Sequence, residues 1–202
     1  MKHIPLKKWL LGIFAAFMLT SCSSEHPVDF PPLSFARYQP IYLNVSRIEF
    51  VDEYKSPLTS PYVEHLMPYS PAEAMRIWAK ERLRAIGPDK VLQIIIKDGS
   101  VVATELHKDS SIADFFTIDQ DRRYDAKLDV ELRIYGHESA LSEANVHVKA
   151  ARSVTLSENA SAWRRSAAQR AMIGEMMEGV NAELEKNMFL YMGRHINFSQ
   201  NP

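Results

Sequence analysis

Between Tyr124 and Ile134 apolar and polar residues alternate without a break: Tyr124, Ala126, Leu128, Val130, Leu132 and Ile134 share one parity, and Asp125, Lys127, Asp129, Glu131 and Arg133 the other. A period of two puts each set on its own face of a strand, so this segment belongs in a sheet with one buried and one wet side. Ala144, Val146, Val148 and Ala150 repeat the pattern, and Val154 and Leu156 extend it. The two runs are predicted to pair as long antiparallel strands across Gly136 to Ser142. Such a sheet needs covering on its apolar side, which calls for amphipathic helices.

Two segments supply them. Ser70-Pro71-Ala72-Glu73 opens the first with a serine cap, a proline at the first helical position and a glutamate placed to complete a capping box. Met75, Trp78, Ala79, Leu83 and Ile86 then form one apolar stripe, which Gly87-Pro88 ends; Arg76, Lys80, Glu81 and Arg84 take the solvated face. The second helix begins near Ser157 or Ser161 and runs to about Tyr191, with Trp163, Ala167, Ile173, Met177, Val180, Leu184, Met188 and Tyr191 as its stripe. Methionine at this spacing is flexible core filler, the alternative being an acyl-chain groove lined by Met176, Met177 and Met188. Further strands are expected at Ile41 to Val51, with a bulge near Ser46 or Arg47, and at Val91 to Lys97 and Val101 to Leu106. The last two flank Asp98-Gly99, either a tight hairpin turn or a glycine bulge in one long strand. The expected fold is α+β: one antiparallel or mixed sheet of about four to five strands with two helices packed on one face.

The chain starts with Lys2, Lys7 and Lys8, an apolar run from Trp9 to Leu19, and then Thr20, Ser21 and Cys22. This is the order of a secretory signal, and its apolar run of about eleven residues falls short of the roughly twenty that span a bilayer. Leu19-Thr20-Ser21-Cys22 resembles the lipobox of bacterial lipoproteins. That resemblance implies cleavage between Ser21 and Cys22, covalent lipid on Cys22 and no other cofactor. Cys22 is the only cysteine, so an internal disulfide is impossible and a thioether would remove the one reactive thiol. Ser23 in place of an aspartate after the cysteine implies, by the same resemblance, an outer-membrane anchor facing the periplasm. The expected organisation is a signal peptide at 1–21, a lipidated, proline-rich tether at 22–40, and a single α+β domain at 41–202.

Tyr54 to Tyr69 is broken by Pro57, Pro61 and Pro68 and reads as a loop, yet it carries Leu58, Tyr62, Val63, Leu66 and Met67. Tyr62 and Leu66, with Phe115 and Phe116 from a polar excursion at His107 to Arg123, are candidate partner or lipid contacts; the plainer reading folds the loop over the end of the sheet. Trp163-Arg164-Arg165 and Arg170 suit lipid phosphate, or simply cover the outside of a helix.

Candidate chemistry is thin. His137-Glu138 lacks the second histidine of a zinc-protease helix because position 141 is Leu141, and the other histidines have no metal-ligand spacing. Asp109, Asp114, Asp119 and Asp121 lack the order and turn glycine of a calcium loop. No glycine-flanked nucleophilic serine or phosphate loop occurs, and a net charge of −1 gives no reason to expect a nucleic-acid partner. The residues predict no catalytic or metal site.

In its layout of lipobox, proline-rich tether, strand, tryptophan-bearing helix, strand set and terminal helix, the chain resembles the ABC-type transport auxiliary lipoproteins and the LptE-like lipopolysaccharide-assembly lipoproteins. The likeness is carried by the Ser70 to Ala85 helix, the Tyr124 to Ile134 strand and the Met172 to Met188 helix; the Asp109 to Arg123 excursion departs from it. The Ser70 to Leu83 and Ile94 to Val102 stretches also look like a group of proteobacterial lipoproteins. The resemblance implies a non-catalytic accessory that binds an envelope protein partner, with a lipid carrier and an envelope enzyme as alternatives.

Overall fold

The structure, a computed structural model, describes residues 30–106, 121–136 and 141–199. The chain divides into two units, residues 1–31 and 32–202. Of the first, only Phe30 and Pro31 are described, both outside regular secondary structure. The second contains strands β1 (Ile41–Leu43), β2 (Arg47–Asp52), β3 (Leu83–Ala85), β4 (Val91–Asp98), β5 (Val101–Leu106), β6 (Asp121–Tyr135) and β7 (Ser142–Ser157), with helices α1 (Pro71–Arg82) and α2 (Ala162–Tyr191).

The alternating segment is the sheet's central strand. On one side β6 pairs antiparallel with β7, from Asp121↔Ser157 to Ile134↔Ala144 in one register and, past a shift at Glu143, again at Tyr135↔Ser142. On the other side its first half meets β5 and its second half meets β4, both antiparallel. Strands β4 and β5 are therefore one line interrupted at 98–100, and the hairpin alternative at Asp98-Gly99 is overturned. Asp98 Oδ1 accepts a bond from the Ser100 amide at 2.9 Å, while Ser100 O accepts from the Lys127 amide at 2.9 Å, so the interruption stays stitched to β6. A Cβ on Gly99 would stand 3.3 Å from that of Ala72; glycine here admits the first turn of α1 rather than making a turn of its own.

Strand β2 lies parallel to β4, and α1 provides the crossover that a parallel pair requires. With β1 and β3 forming a separate parallel pair, the architecture is α+β: a mixed five-stranded sheet, a two-stranded sheet and two helices. One parity of β6 (Ala126, Leu128, Val130, Leu132, Ile134) is buried with Met75, Trp78 and Ala79 of α1 and Met172, Met176, Met177, Val180 and Leu184 of α2. At about 25 cal/mol per Å² of apolar surface, this continuous layer is the main source of stability.

Four boundaries depart from expectation. The segment 41–51 is not one bulged strand but two strands in different sheets. Ser46 leaves the ladder to bond Asp89 O and Lys90 O, which lets Ile41, Leu43 and Val45 stay buried while Ile48 and Phe50 also pack on the core. Helix α1 ends at Arg82, not near Ile86, because Leu83 turns extended and β3 pairs with β1. Leu83 remains buried, whereas Ile86 is exposed. A Cβ on Gly87 would come within 2.5 Å of the Asn44 backbone, so the β1–β3 join tolerates only glycine there.

The folded unit also begins at Pro32 rather than Ile41. Phe35 is fully buried, its amide and the Ser34 hydroxyl both bond the Glu81 carboxylate, and the Leu33 amide approaches Tyr69 Oη at 3.4 Å. A lone aromatic in a proline-rich stretch leaves no periodicity to betray such docking. Finally, Ser161 caps α2 as expected, but Trp163 and Tyr191 lie exposed, and Met192 takes the buried place at the helix end.

Candidate functional site

Loop 54–69 is built around one buried carboxylate. Glu64 opens a short 3-10 turn (Glu64–Leu66) and is only 4% exposed. Its Oε1 accepts from Tyr54 Oη at 2.7 Å, and its Oε2 from the Val101 amide at 3.1 Å. Burial alone would raise its pKa, but bonds from Ser56, Tyr54 and Val101 outweigh burial and hold the carboxyl below its ordinary value. Burial and the Glu64 bond push the Tyr54 hydroxyl up. Beside this anchor the Val63 amide donates to Val101 O at 2.8 Å and the Ala103 amide to Pro61 O at 2.9 Å. Residues 61–63 thus act as a strand fragment along the outer edge of β5.

Of the four predicted contact residues, two fall in this loop. Tyr62 is half-buried and bridges Val102, while Leu66 points outward at 72% exposure. Phe115 and Phe116 lie outside the described residues, as do Ser21, Cys22, Asp109, Asp114 and Asp119. Residues 61–64 hold the loop to the sheet edge, and Leu58 and Leu66 are its large apolar side chains left accessible.

The wet face of the sheet carries a ladder of ion pairs. Glu131, though on this face, is 5% exposed: Arg133 grips it with bonds of 2.6 and 2.7 Å, and Lys97 approaches to 2.5 Å. The Arg133 bond outweighs burial and, with Lys97, brings the Glu131 carboxyl down to about 2. Next to it Asp129 meets His147 Nε2 at 2.6 Å and Lys149 Nζ at 2.9 Å. Burial opposes ionisation of Asp129, and these two bonds overcome it. A histidine–aspartate contact is half of a base-and-orienter pair, but here the second carboxylate oxygen is committed to Lys149. Among the described residues, no group of three or more His, Cys, Asp or Glu side chains could hold a metal ion.

Between the helices lies a polar network that no sequence motif announced. Asn181 Oδ1 accepts from Trp78 Nε1 at 2.8 Å and from Arg82 Nε at 3.0 Å. Arg82, 1% exposed, also bonds Glu185, and its guanidinium lies 5.3 Å from the Tyr38 ring centroid. Burial pulls the Arg82 pKa down against the pull of Glu185 and Tyr38. The available signal was spacing: Arg82 follows Trp78 by one helical turn, and Asn181 interrupts the apolar stripe one turn after Met177. Met176, Met177 and Met188 are all buried in the core on this side.

A second surface lies where α2 ends beside β7. Asn145, Val146 and His147 of the strand and Asn187 and Tyr191 of the helix line an open groove of about 210 Å³. Leu190 is 64% exposed and Tyr191 62%, and the rings of Phe189 and Phe198 meet tilted by 40° at 6.0 Å between centroids. Helical spacing places Tyr191 in the buried stripe, whereas the structure leaves it exposed in this cluster.

No family model matches the chain, and no curated protein or solved structure matches it. Among the described residues, no helix is long and apolar enough to cross a membrane.

Proposed function

We propose that this chain is a membrane-anchored accessory lipoprotein of the bacterial envelope, held by lipid on Cys22 and acting without catalysis to bind or position an envelope complex, complexes that move lipid or lipopolysaccharide being among the candidates. The observation that carries this reading is Cys22: the sole cysteine of the chain, directly after a charged, apolar, small-residue leader. Two or more acyl chains hold a protein stably on a bilayer, so the anchor needs no spanning helix. By the same reading the anchor sits in the outer membrane and the domain faces the periplasm.

The acidic groups support binding over turnover. Glu131, Asp129 and Glu64 are each engaged by two or more donors, an arrangement that fixes structure instead of leaving a carboxyl poised near neutrality. Large apolar side chains also face outward: Leu58 and Leu66 on the loop, and Leu190, Tyr191 and Phe198 at or just beyond the end of α2.

The test has two parts. Cys22→Ser should leave an uncleaved or mislocalised precursor, and normal sorting of that variant sinks the anchor. Affinity purification of the anchored chain from solubilised membranes should recover a defined envelope protein, and recovery of the chain alone under mild detergent counts against the accessory role.

A further inference from the structure

Helices α1 and α2 run the same way. Tyr69, just before α1, has the Arg170 guanidinium 5.0 Å from its ring centroid, while Trp78 and Arg82 further along reach Asn181 and Glu185. The segment 33–38 runs with them, from the Leu33 amide at Tyr69 to the Tyr38 hydroxyl at Glu178. The chain therefore enters the folded unit at the end where both helices begin. Helix α2 starts further out than α1, and Trp163 lies two turns, about 10 Å, before Arg170.

We propose that this end of the domain rests on the lipid surface, with Trp163 and Leu66 seated in the headgroup layer and Arg164 and Arg165 against lipid phosphate. This placement rests on the reading of Cys22 as a lipid anchor and adds which face meets the bilayer. The leash distinguishes the two ends. Residues 22–31 are only ten, and they join the fold where Leu33 is held at Tyr69 and Phe35 is buried. A domain tied so closely at this end presents it to the membrane, and the cluster of Leu190, Tyr191 and Phe198 at the other end of α2 points away.

Charge agrees with the leash. From Ser161 to Met172, α2 carries Arg164, Arg165 and Arg170 and no acidic residue. Loop 54–69 exposes Lys55, and its one acid, Glu64, is buried. Of the neighbouring acids, Glu105 is held by Arg122 at 2.9 Å and Glu175 by Arg152, while Glu158 is exposed in the turn before the helix. Towards its other end α2 instead carries Glu183 and Glu185 against Lys186. A helix start bears partial positive charge and favours acids, so Arg164 and Arg165 stand where cations stabilise a helix least. Their charge suits a ligand outside the helix: guanidinium forks match phosphate, and basic residues beside an anionic leaflet are drawn to it. Tryptophan settles at headgroup level, and Trp163 is 46% exposed.

The test reconstitutes the full lipidated chain into phosphatidylethanolamine vesicles containing phosphatidylglycerol, with phospholipid brominated near the headgroup end of its acyl chains as the probe. Of the three tryptophans, Trp9 lies in the leader and Trp78 is fully buried, so quenching reads Trp163. Its emission should fall by about half, and Trp163→Phe should abolish the quenched component. Arg164→Glu combined with Arg165→Glu should at least halve the quenching, and Leu66→Ser should reduce it by less. The doubly substituted chain should still float with the vesicles, because lipid on Cys22 holds it. Its urea midpoint should not drop, since acids suit a helix start. A chain that floats without quenching, or quenching unchanged by the double substitution, overturns the placement and leaves the anchor standing. A chain that does not float overturns the anchor and the placement with it.

Discussion

The outer edges of β5 and β7 belong to the same sheet and are finished in opposite ways. Along β5, residues 61–63 supply strand-like bonds to Val101 and Ala103, and Glu64 is buried to lock them there. Along β7, 16 residues run beside β6 with no described neighbour on the far side. A buried carboxylate is costly to desolvate, so the first edge is covered at the expense of a demanding site, whereas the second carries none. Among the described residues, then, one edge is covered by a locked strand fragment and the other is not.

Glu64→Ala tests the covered edge most severely. It leaves Tyr54 Oη and the Val101 amide without their acceptor, and the loss of stability in urea titration should be about 3 kcal/mol. A loss under about 1 kcal/mol would mean that the loop rests on the sheet without anchoring it. Acid should act more gently in the same place. Because the folded-state pKa of Glu64 lies below its ordinary 4.5, its contribution is complete above that value and disappears as pH falls through the folded pKa. Amide exchange at Val63 and Ala103 should therefore accelerate below about pH 4 relative to amides of the β6–β7 ladder, and equal acceleration at both edges would erase the contrast. Leu66→Ser removes an exposed side chain and should alter stability by less than about 0.5 kcal/mol; reduced recovery of a membrane partner would then separate contact from covering. Lys149→Ala on the open edge should be nearly silent in monomer stability, within about 0.5 kcal/mol, because its pair with Asp129 is largely solvated on the lysine side. A larger loss would show that β7 depends on its own ion pairs.

Long periodic elements were legible in the sequence because one physical rule governs many successive residues in them. β6, β7, α2 and the start of α1 follow from alternation, helical spacing and the Ser70 and Ser161 caps. What escaped prediction was decided by partners distant in the chain. The end of α1 depends on β1, the break at Ser46 on Asp89 and Lys90, and the docking of Phe35 on Glu81. Local pattern is silent on such contacts: Leu83 is buried whether it closes a helix or opens a strand. The candidate surfaces were half legible for a related reason. Leu66 stood out as an apolar residue in a proline-broken loop, but Tyr191 fits the helical stripe by spacing and is exposed, the buried place one turn after Met188 going to Met192.

The docking of residues 33–38 bears on how this domain would carry load. With Cys22 held in a bilayer as proposed, residues 22–31 span at most about 35 Å, and any pull on that leash enters the fold at Pro32. Phe35 and its bonds to Glu81, with Tyr38 bonded to Glu178, take the strain first and pass it to α1 and α2. With the anchor as proposed, a tug from the membrane would meet the buried Phe35 and its bonds to the helices before it reached β1.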